Sequence, residues 1–142
     1  MNPYKPEAYN SLSPYLIVDD APKLIDQLKA IFGAEELRRY DRPDGSIMHA
    51  ELKVDDSVIM ISNATSAYPP NKTMLHMYVP DVFSTLYKAI EIGCEVIEKP
   101  VNKENDPDTR GSFYDCAGNY WAVSTQMSWI EKGGWVLFKF SE

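Results

Sequence analysis

The chain has 142 residues, of which 44% are hydrophobic and 25% charged, and its net charge is −7. This length is enough for one ordinary domain, or for two small modules that bury a shared core, and the composition is that of a soluble globular protein. An acidic surface repels nucleic-acid phosphates and anionic lipids, no apolar run approaches the about 20 residues that cross a bilayer, and the N-terminus has no signal-peptide core, so we expect a cytoplasmic protein that binds neither nucleic acid nor membrane.

The first half of the chain predicts the element order β-α-β-β-β. Residues 1–10 are polar and indicate an N-terminal arm. Asp20 is a typical helix cap, and Gly33 ends the apolar periodicity of the helix that follows it. Strands are predicted around this helix at residues 12–18, 36–40, 47–53 and 57–62. Residues 11–63 therefore form a first βαβββ module.

The second half repeats this order after a predicted linker at residues 64–72. Asp81 is again a helix cap, and Gly93 again follows a helix with one apolar stripe. We expect the helix at residues 82–92, and strands at residues 74–79, 95–99, 110–114 and 120–125, with a polar loop at residues 101–108. Residues 73–126 therefore form a second βαβββ module.

The repeat has an offset of about 60 residues, and it is a repeat of element order rather than of identity. Two such modules laid edge to edge would form a curved mixed sheet around a shared cleft, which is an α+β fold. The C-terminal extension, residues 127–142, does not fit the repeat. Its aromatic segment Trp135–Phe140 predicts an extra strand, and such a surface favours burial in a homodimer.

Several strings in the sequence resemble one known family. Pro14–Ala21 resembles the opening strand and cap of glyoxalase/bleomycin-resistance/extradiol-dioxygenase proteins, also called the vicinal oxygen chelate superfamily. Ala30–Glu36 and Pro43–Leu52 resemble one branch of it, which is often described as similar to a phosphonate-operon protein. Leu75–Val79 and Gly118–Trp121 resemble the start and end of its second module. The resemblance covers residues 12–125 and implies paired βαβββ modules.

The resemblance also implies a metal site, at which this sequence departs from the family. Enzymes of the superfamily hold a divalent metal with four His, Glu or Gln ligands, which here fall on Ser13, Met60, Met74 and Ala122. None of these side chains is a competent ligand for a hard or borderline divalent ion. The chain resembles instead the bleomycin-binding members, which use no metal, and we therefore expect no cofactor.

An alternative metal site uses His49, Glu51 and His76. His49 and Glu51 are two residues apart on one predicted strand, so they share a face, and two histidines with one carboxylate could form a facial triad. The other interpretation places His49 and Glu51 on a solvent face, with Met48, Ala50 and Leu52 packed inward. His76 has two further interpretations, as a hydrogen-bonding or acid–base group in the cleft and as a structural histidine.

The remaining candidates line the expected cleft. Arg110 matches a family arginine and could fix a carboxylate or phosphate, or pair with Asp108 or Asp115. The alternative for the other strand residues is core packing alone. The predicted ligand-binding residues are Tyr15, Met60, Ser62, Met74, His76, Tyr78, Arg110, Tyr114 and Trp121.

Three functions are compatible with these observations. The first is a metal-free small-molecule-binding protein, which sequesters its ligand. The second is a metal-dependent lyase, isomerase or dioxygenase with a displaced metal site. The third is a structural or regulatory interaction protein whose cleft is filled by its own side chains. No nucleophile motif, phosphate loop or dinucleotide fingerprint points to any other chemistry.

Overall fold

A computed structural model of the protein describes residues 3–127. Eight strands and two helices follow one another in this part of the chain in the order βαβββ-βαβββ: β1 Tyr15–Val18, α1 Ala21–Phe32, β2 Glu35–Asp41, β3 Ile47–Val54, β4 Ser57–Asn63, β5 Met74–Tyr78, α2 Val82–Glu91, β6 Glu95–Asn102, β7 Asp108–Tyr114 and β8 Tyr120–Gln126. The described residues divide into two compact units: unit 1 consists of residues 3–73 and Cys116–Gly118, and unit 2 of Met74–Asp115 and residues 119–127. The predicted α+β fold of two βαβββ modules is confirmed. A cleft shared by the modules stays a prediction, and the predicted C-terminal strand lies outside the described residues.

The two sheets have the same topology. Unit 1 has the strand order β1-β4-β3-β2 and unit 2 the order β5-β8-β7-β6. In each sheet the first and last strands of the module pair in parallel, and the other pairs are antiparallel. The long connection that such a parallel pair needs runs through the module's helix and its two other strands.

Both helices begin where the sequence predicts. The Asp20 carboxylate accepts a hydrogen bond from the Lys23 N–H at 3.1 Å, and the Asp81 carboxylate accepts from the N–H groups of Phe83 and Ser84. These bonds satisfy backbone donors that have no partner within the helix. α1 ends at Gly33, whose φ of 68° is the left-handed conformation that glycine adopts without strain.

Each helix packs on one face of its sheet and leaves the other face to form a site. In unit 1 the helix-facing residues are fully buried, among them Leu16 on β1, Leu52 on β3 and Ile61 on β4. Alternation along the strands then places Tyr15, Glu51 and Met60 together on the opposite face, which we call the open face of unit 1. The open face of unit 2 is defined in the same way, opposite α2.

The end of β6 corrects the predicted polar loop at residues 101–108. β6 continues through Pro100 to Asn102, and β7 begins at Asp108. The pairing of β6 with β7 shifts register between Glu98 and Val101. This irregularity spans Pro100, which lacks the N–H that a regular ladder requires, and β6 therefore extends beyond the strand predicted at residues 95–99.

Gly111 in the middle of β7 explains how closely α2 approaches its sheet. A Cβ at this position would overlap the Leu86 side chain of α2 and lie 2.8 Å from the Glu98 carbonyl oxygen. The missing side chain therefore allows helix and sheet to pack together at this position.

Candidate functional site

The open face of unit 1 carries a hydrogen-bonded group of side chains, centred on a buried carboxylate. Glu51 is only 4% exposed, although it lies on the side of the sheet away from the helix. We call the group the Glu51 cluster; it consists of Tyr9, Tyr15, Arg38, Tyr40, His49 and Glu51.

The two oxygens of Glu51 have different partners. Oε1 accepts a hydrogen bond from the Tyr9 hydroxyl at 2.5 Å and lies 3.8 Å from Nε of Arg38. Oε2 lies 2.8 Å from Nε2 of His49. Burial raises the pKa of Glu51, but the hydrogen bonds from Tyr9 and His49 and the positive charge of Arg38 outweigh burial, so the pKa lies below its ordinary value. The carboxylate is therefore ionised at neutral pH.

His49 joins this carboxylate to the surface. Its Nδ1 lies 2.7 Å from the Tyr15 hydroxyl, and its ring is in contact with those of Tyr15 and Tyr40, at centroid distances of 5.6 and 6.4 Å. Tyr15 is 40% and Tyr40 52% exposed. A continuous path of hydrogen bonds thus runs from an exposed phenol through an imidazole to a buried carboxylate.

Sequence reasoning identified only part of this cluster. The shared face of His49 and Glu51 is confirmed, but the interpretation that both lie on a solvent face is wrong for Glu51, because Tyr9, His49 and Arg38 surround its carboxylate. Met48, expected to pack inward, is 49% exposed, whereas Ala50 and Leu52 are in the core as expected.

Tyr9, Arg38 and Tyr40 were missed. Arg38 and Tyr40 pair with Glu51 and His49 across β2 and β3, and their spacing of two residues could have indicated a shared face. No local pattern connects Tyr9, which lies in the N-terminal arm, with Glu51, 42 residues later.

The open face of unit 2 brings together a second polar group, which we call the Asp108 cluster: Tyr78, Asp106, Asp108 and Arg110. The Tyr78 hydroxyl donates to Oδ2 of Asp108 at 2.8 Å, and this hydrogen bond raises the pKa of Tyr78. Arg110 pairs with Asp106 at 2.9 Å and lies 3.7 Å from Asp108. Of the two pairings considered for Arg110, the one with Asp108 is present, but Asp106 is its shorter contact.

Two buried polar atoms of this face have no hydrogen-bond partner among the residues that the structure describes. They are Oδ1 of Asp108 and Oγ of Ser112, which is 1% exposed. Nearby on the same sheet, Nε2 of His76 lies 2.9 Å from Oγ of Ser124, and the His76 ring meets that of Tyr78 edge-on. This hydrogen bond supports the structural interpretation of His76 and leaves its acid–base role a prediction.

Trp121 corrects one predicted ligand contact. Its side chain is 1% exposed, stacks with Phe113 at 6.2 Å and donates from Nε1 to Oδ2 of Asp115 at 2.8 Å. Because Trp121 pairs with Leu75, one residue from the His76–Ala122 pair, it points to the helix side of the sheet. The alternative of core packing applies to this residue. Ser62 lies on the open face of unit 1 but is itself buried.

The four positions that the resemblance assigns to metal ligands do not fit a divalent metal. Ser13 and Met60 are half-buried in unit 1, whereas Met74 is exposed and Ala122 half-buried in unit 2. They offer one hydroxyl, two thioethers and a methyl group, which lack the nitrogen and carboxylate donors that such an ion prefers.

The displaced site of His49, Glu51 and His76 is not formed either. Within residues 3–127, no group of three or more His, Cys, Asp and Glu side chains is placed to hold a metal ion. His49 and Glu51 are instead hydrogen-bonded to each other, and His76 to Ser124.

Within residues 3–127, neither helix is long and apolar enough to span a membrane.

The fold and the sequence are similar to those of known proteins. An uncharacterised protein of Mycobacterium bovis, Mb0911c, is 29% identical over 124 residues, which are 80% of this chain and 81% of that protein. The crystal structure of TioX from Micromonospora sp. ML1 matches with a TM-score of 0.69 and 18% identity, over 83% of this chain and 99% of that one. TnmS3 from Streptomyces sp. CB03234, described as an antibiotic-binding protein, matches with a TM-score of 0.63 and 18% identity, over 83% and 99%. The family model for these folds matches residues 10–123, and the chain therefore belongs to the Glyoxalase/Bleomycin resistance protein/Dioxygenase superfamily.

Proposed function

We propose that this protein binds a small, partly aromatic or amphipathic molecule without the help of a metal ion, and that it acts by sequestering that molecule. The observation that carries the proposal is the identity of the four positions Ser13, Met60, Met74 and Ala122. A hydroxyl, two thioethers and a methyl group suit an apolar ligand surface better than a divalent ion.

The open face of unit 1 supplies the kind of surface that such a ligand needs. Tyr15 and Tyr40 expose aromatic rings, and Met60 lies half-buried beside Tyr15 in the strand register. Binding sites for small molecules are mainly apolar and aromatic, with a few fixed polar groups that set orientation. In this protein the polar groups would be the Tyr15 hydroxyl and the His49 ring, held by Glu51.

The similarity to TnmS3 adds weight to binding as the class of function, because that protein is described as binding an antibiotic. We extend the proposal to a cytoplasmic homodimer. The aromatic residues of the C-terminal extension support the homodimer, because an apolar surface of this kind favours burial against a partner subunit. The closer likeness to the branch related to a phosphonate-operon protein rests on the strings at residues 30–36 and 43–52.

Titration with an amphipathic aromatic fluorophore, 1-anilinonaphthalene-8-sulfonate, tests the proposal directly. We expect saturable binding to the native protein, unchanged by EDTA, and less than stoichiometric metal by elemental analysis. Met60→Ala should weaken binding about 3- to 10-fold, which is the loss of roughly one buried methionine contact. Met48→Ala is the matched control, because Met48 directly precedes His49 on β3, and alternation along the strand places it on the other side of the sheet from the open face.

Two outcomes would contradict the proposal. Stoichiometric Mn²⁺, Ni²⁺ or Zn²⁺ in the purified protein, with loss of binding on chelation, would favour the metal-dependent enzyme. Equal loss of binding in the Met60→Ala and Met48→Ala variants, or no saturable binding at all, would favour the interaction protein with a filled cleft.

A further inference from the structure

The hydrogen bonds from Tyr15 through His49 to Glu51 all donate in one direction, and their donors and acceptors determine which direction it is. An ionised carboxylate only accepts hydrogen bonds, so the proton between His49 and Glu51 must be on Nε2 of His49. In a neutral imidazole the other nitrogen, Nδ1, is then an acceptor. While the His49 ring is neutral, Tyr15 donates its hydroxyl proton to it across the 2.7 Å contact.

This direction leaves the Tyr15 oxygen able to accept a hydrogen bond from a ligand. Tyr15 is 40% exposed on the open face, so a bound molecule can reach it. The flanking ring of Tyr40 is 52% exposed and stacked with His49 at an interplanar angle of 26°. The geometry suits a flat molecule, whose O–H group points at the Tyr15 oxygen.

Stability alone does not account for a carboxylate at this position. Burying a charge takes away its hydration, and replacing buried ion pairs by apolar groups is often neutral or stabilising. Glu51 is nevertheless 4% exposed on the side of the sheet away from the helix core, and three side chains from the arm, β2 and β3 converge on it. Titratable groups with specific partners on an open face are typical of functional sites.

We infer that Tyr15, His49 and Glu51 form a proton relay, which takes up the acidic proton of a bound phenol or enol. The inference deepens the proposed function, on which it rests, by naming the ligand class: a planar aromatic molecule with a weakly acidic O–H group. Tyr15 is the residue that contacts the ligand, whereas His49 and Glu51 act through it as positioning residues.

Every proton that leaves a group in this step is taken up by another group of the cluster. The ligand O–H bond breaks, and its proton goes to the Tyr15 oxygen. The Tyr15 proton moves to Nδ1 of His49, which becomes an imidazolium beside the Glu51 carboxylate. The products are a bound phenolate, a neutral tyrosine and a His–Glu ion pair, so no further reactant is needed.

The groups that face His49 in unit 1 act on this charge transfer in opposite directions: the Glu51 carboxylate favours the imidazolium and the Arg38 guanidinium disfavours it. Tyr15 comes from β1, Arg38 and Tyr40 from β2, and Glu51 from β3, while Tyr9 of the arm bonds Glu51 and Met60 of β4 does not titrate. Glu51 stabilises the imidazolium at 2.8 Å, whereas Arg38 lies at the other oxygen of that carboxylate.

Binding of 4-nitrophenol tests the relay, because its phenolate absorbs visible light and its phenol form does not. The titration is performed at the solution pKa of the probe, where about half of the free probe is ionised. We expect the larger part of the bound probe to be ionised by the native protein. In the Tyr15→Phe variant the bound ionised fraction should fall to that of free probe, and in His49→Gln likewise, because Gln can accept a hydrogen bond but cannot take up the proton.

The probe 4-nitroanisole, which has the same ring but no acidic proton, separates this inference from the proposed function. Its affinity should change by less than about twofold in both variants. Tyr87→Phe, which removes an exposed phenol on α2 of unit 2, outside both open faces, should leave the ionised fraction unchanged.

Binding of both probes without ionisation would overturn the relay and leave the proposed binding function standing. Ionisation that persists in Tyr15→Phe would overturn it as well. Binding of neither probe by the folded protein would contradict both the relay and the proposed function. The Tyr15→Phe substitution keeps the aromatic ring at an exposed position. We therefore expect the circular dichroism spectrum of this variant to match that of the native protein, even if the His49→Gln variant does not fold.

Discussion

The two open faces share one strand register and differ in chemistry. Tyr15 of unit 1 and His76 of unit 2 occupy equivalent positions, since they pair with Met60 and Ala122 in the parallel ladders. Glu51 and Ser112 are also equivalent, because Glu51 pairs with Met60 and Ser112 pairs with Ala122 in the antiparallel ladders.

The difference at this last pair of positions is the most informative. The Glu51 carboxylate accepts hydrogen bonds from Tyr9 and His49 and forms an ion pair with Arg38, whereas the Ser112 hydroxyl is equally buried and has no described partner. The repeated βαβββ topology therefore determines where side chains lie, and the residue type alone determines whether the position is a charged centre or a small polar one.

The largest expected change in the free energy of unfolding concerns Trp121, which is buried on the helix side of the unit 2 sheet. Trp121→Ala should lower the free energy of unfolding by about 3–5 kcal/mol, because it leaves a cavity beside Phe113. Loss of the Nε1 donor to Asp115 adds to this effect. Chemical denaturation measures the difference. Tyr114→Ala, on the open face and 39% exposed, is the control and should lose less than about 1 kcal/mol.

The second prediction removes the charge of the Glu51 cluster. Glu51→Gln should destabilise the protein by about 1–3 kcal/mol at neutral pH, because the amide can no longer accept hydrogen bonds at both ends. Thermal and urea unfolding provide the measurement. A variant as stable as the native protein would show that the carboxylate is not held by Tyr9 and His49.

The third prediction concerns pH. The pKa of Glu51 is lower in the folded state than in the unfolded chain, so its contribution to stability is present above the unfolded value of about 4.3 and is lost as the pH falls through the lower folded value. We expect the native protein to lose stability more steeply than Glu51→Gln as the pH is lowered through this window. Parallel pH profiles of the two proteins would refute the lowered pKa.

The smallest effect is expected at Ser112. Because its buried hydroxyl has no described partner, Ser112→Ala should be neutral or stabilise the protein by up to about 1 kcal/mol. The change in the free energy of unfolding caused by Ser112→Ala can be compared directly with that caused by Glu51→Gln at the equivalent position of unit 1. A loss above about 1 kcal/mol would indicate a hydrogen bond to Ser112 in the native protein.

Much of the fold could be predicted because its signals are local. Caps such as Asp20 and Asp81, the stop at Gly33 and the period of two along β3 depend on neighbouring residues only. The strand predicted at residues 95–99 is too short, because a register shift in the pairing with β7 lets β6 continue past Pro100. Trp121 was assigned to the ligand side because alternation gives two faces but does not say which one a helix covers.

The sequence by itself determined the two βαβββ modules, the membership of the superfamily that its motifs resemble, and the absence of metal-competent side chains at Ser13, Met60, Met74 and Ala122. Only the tertiary structure decided that Tyr9, Arg38 and His49 converge on Glu51, and that Ser112 is left without a described partner at the equivalent position. The physical reason is that a polar contact depends on which side chains strand pairing and the docking of the arm bring within about 3 Å of each other, and residues far apart along the chain carry no local signal of that distance.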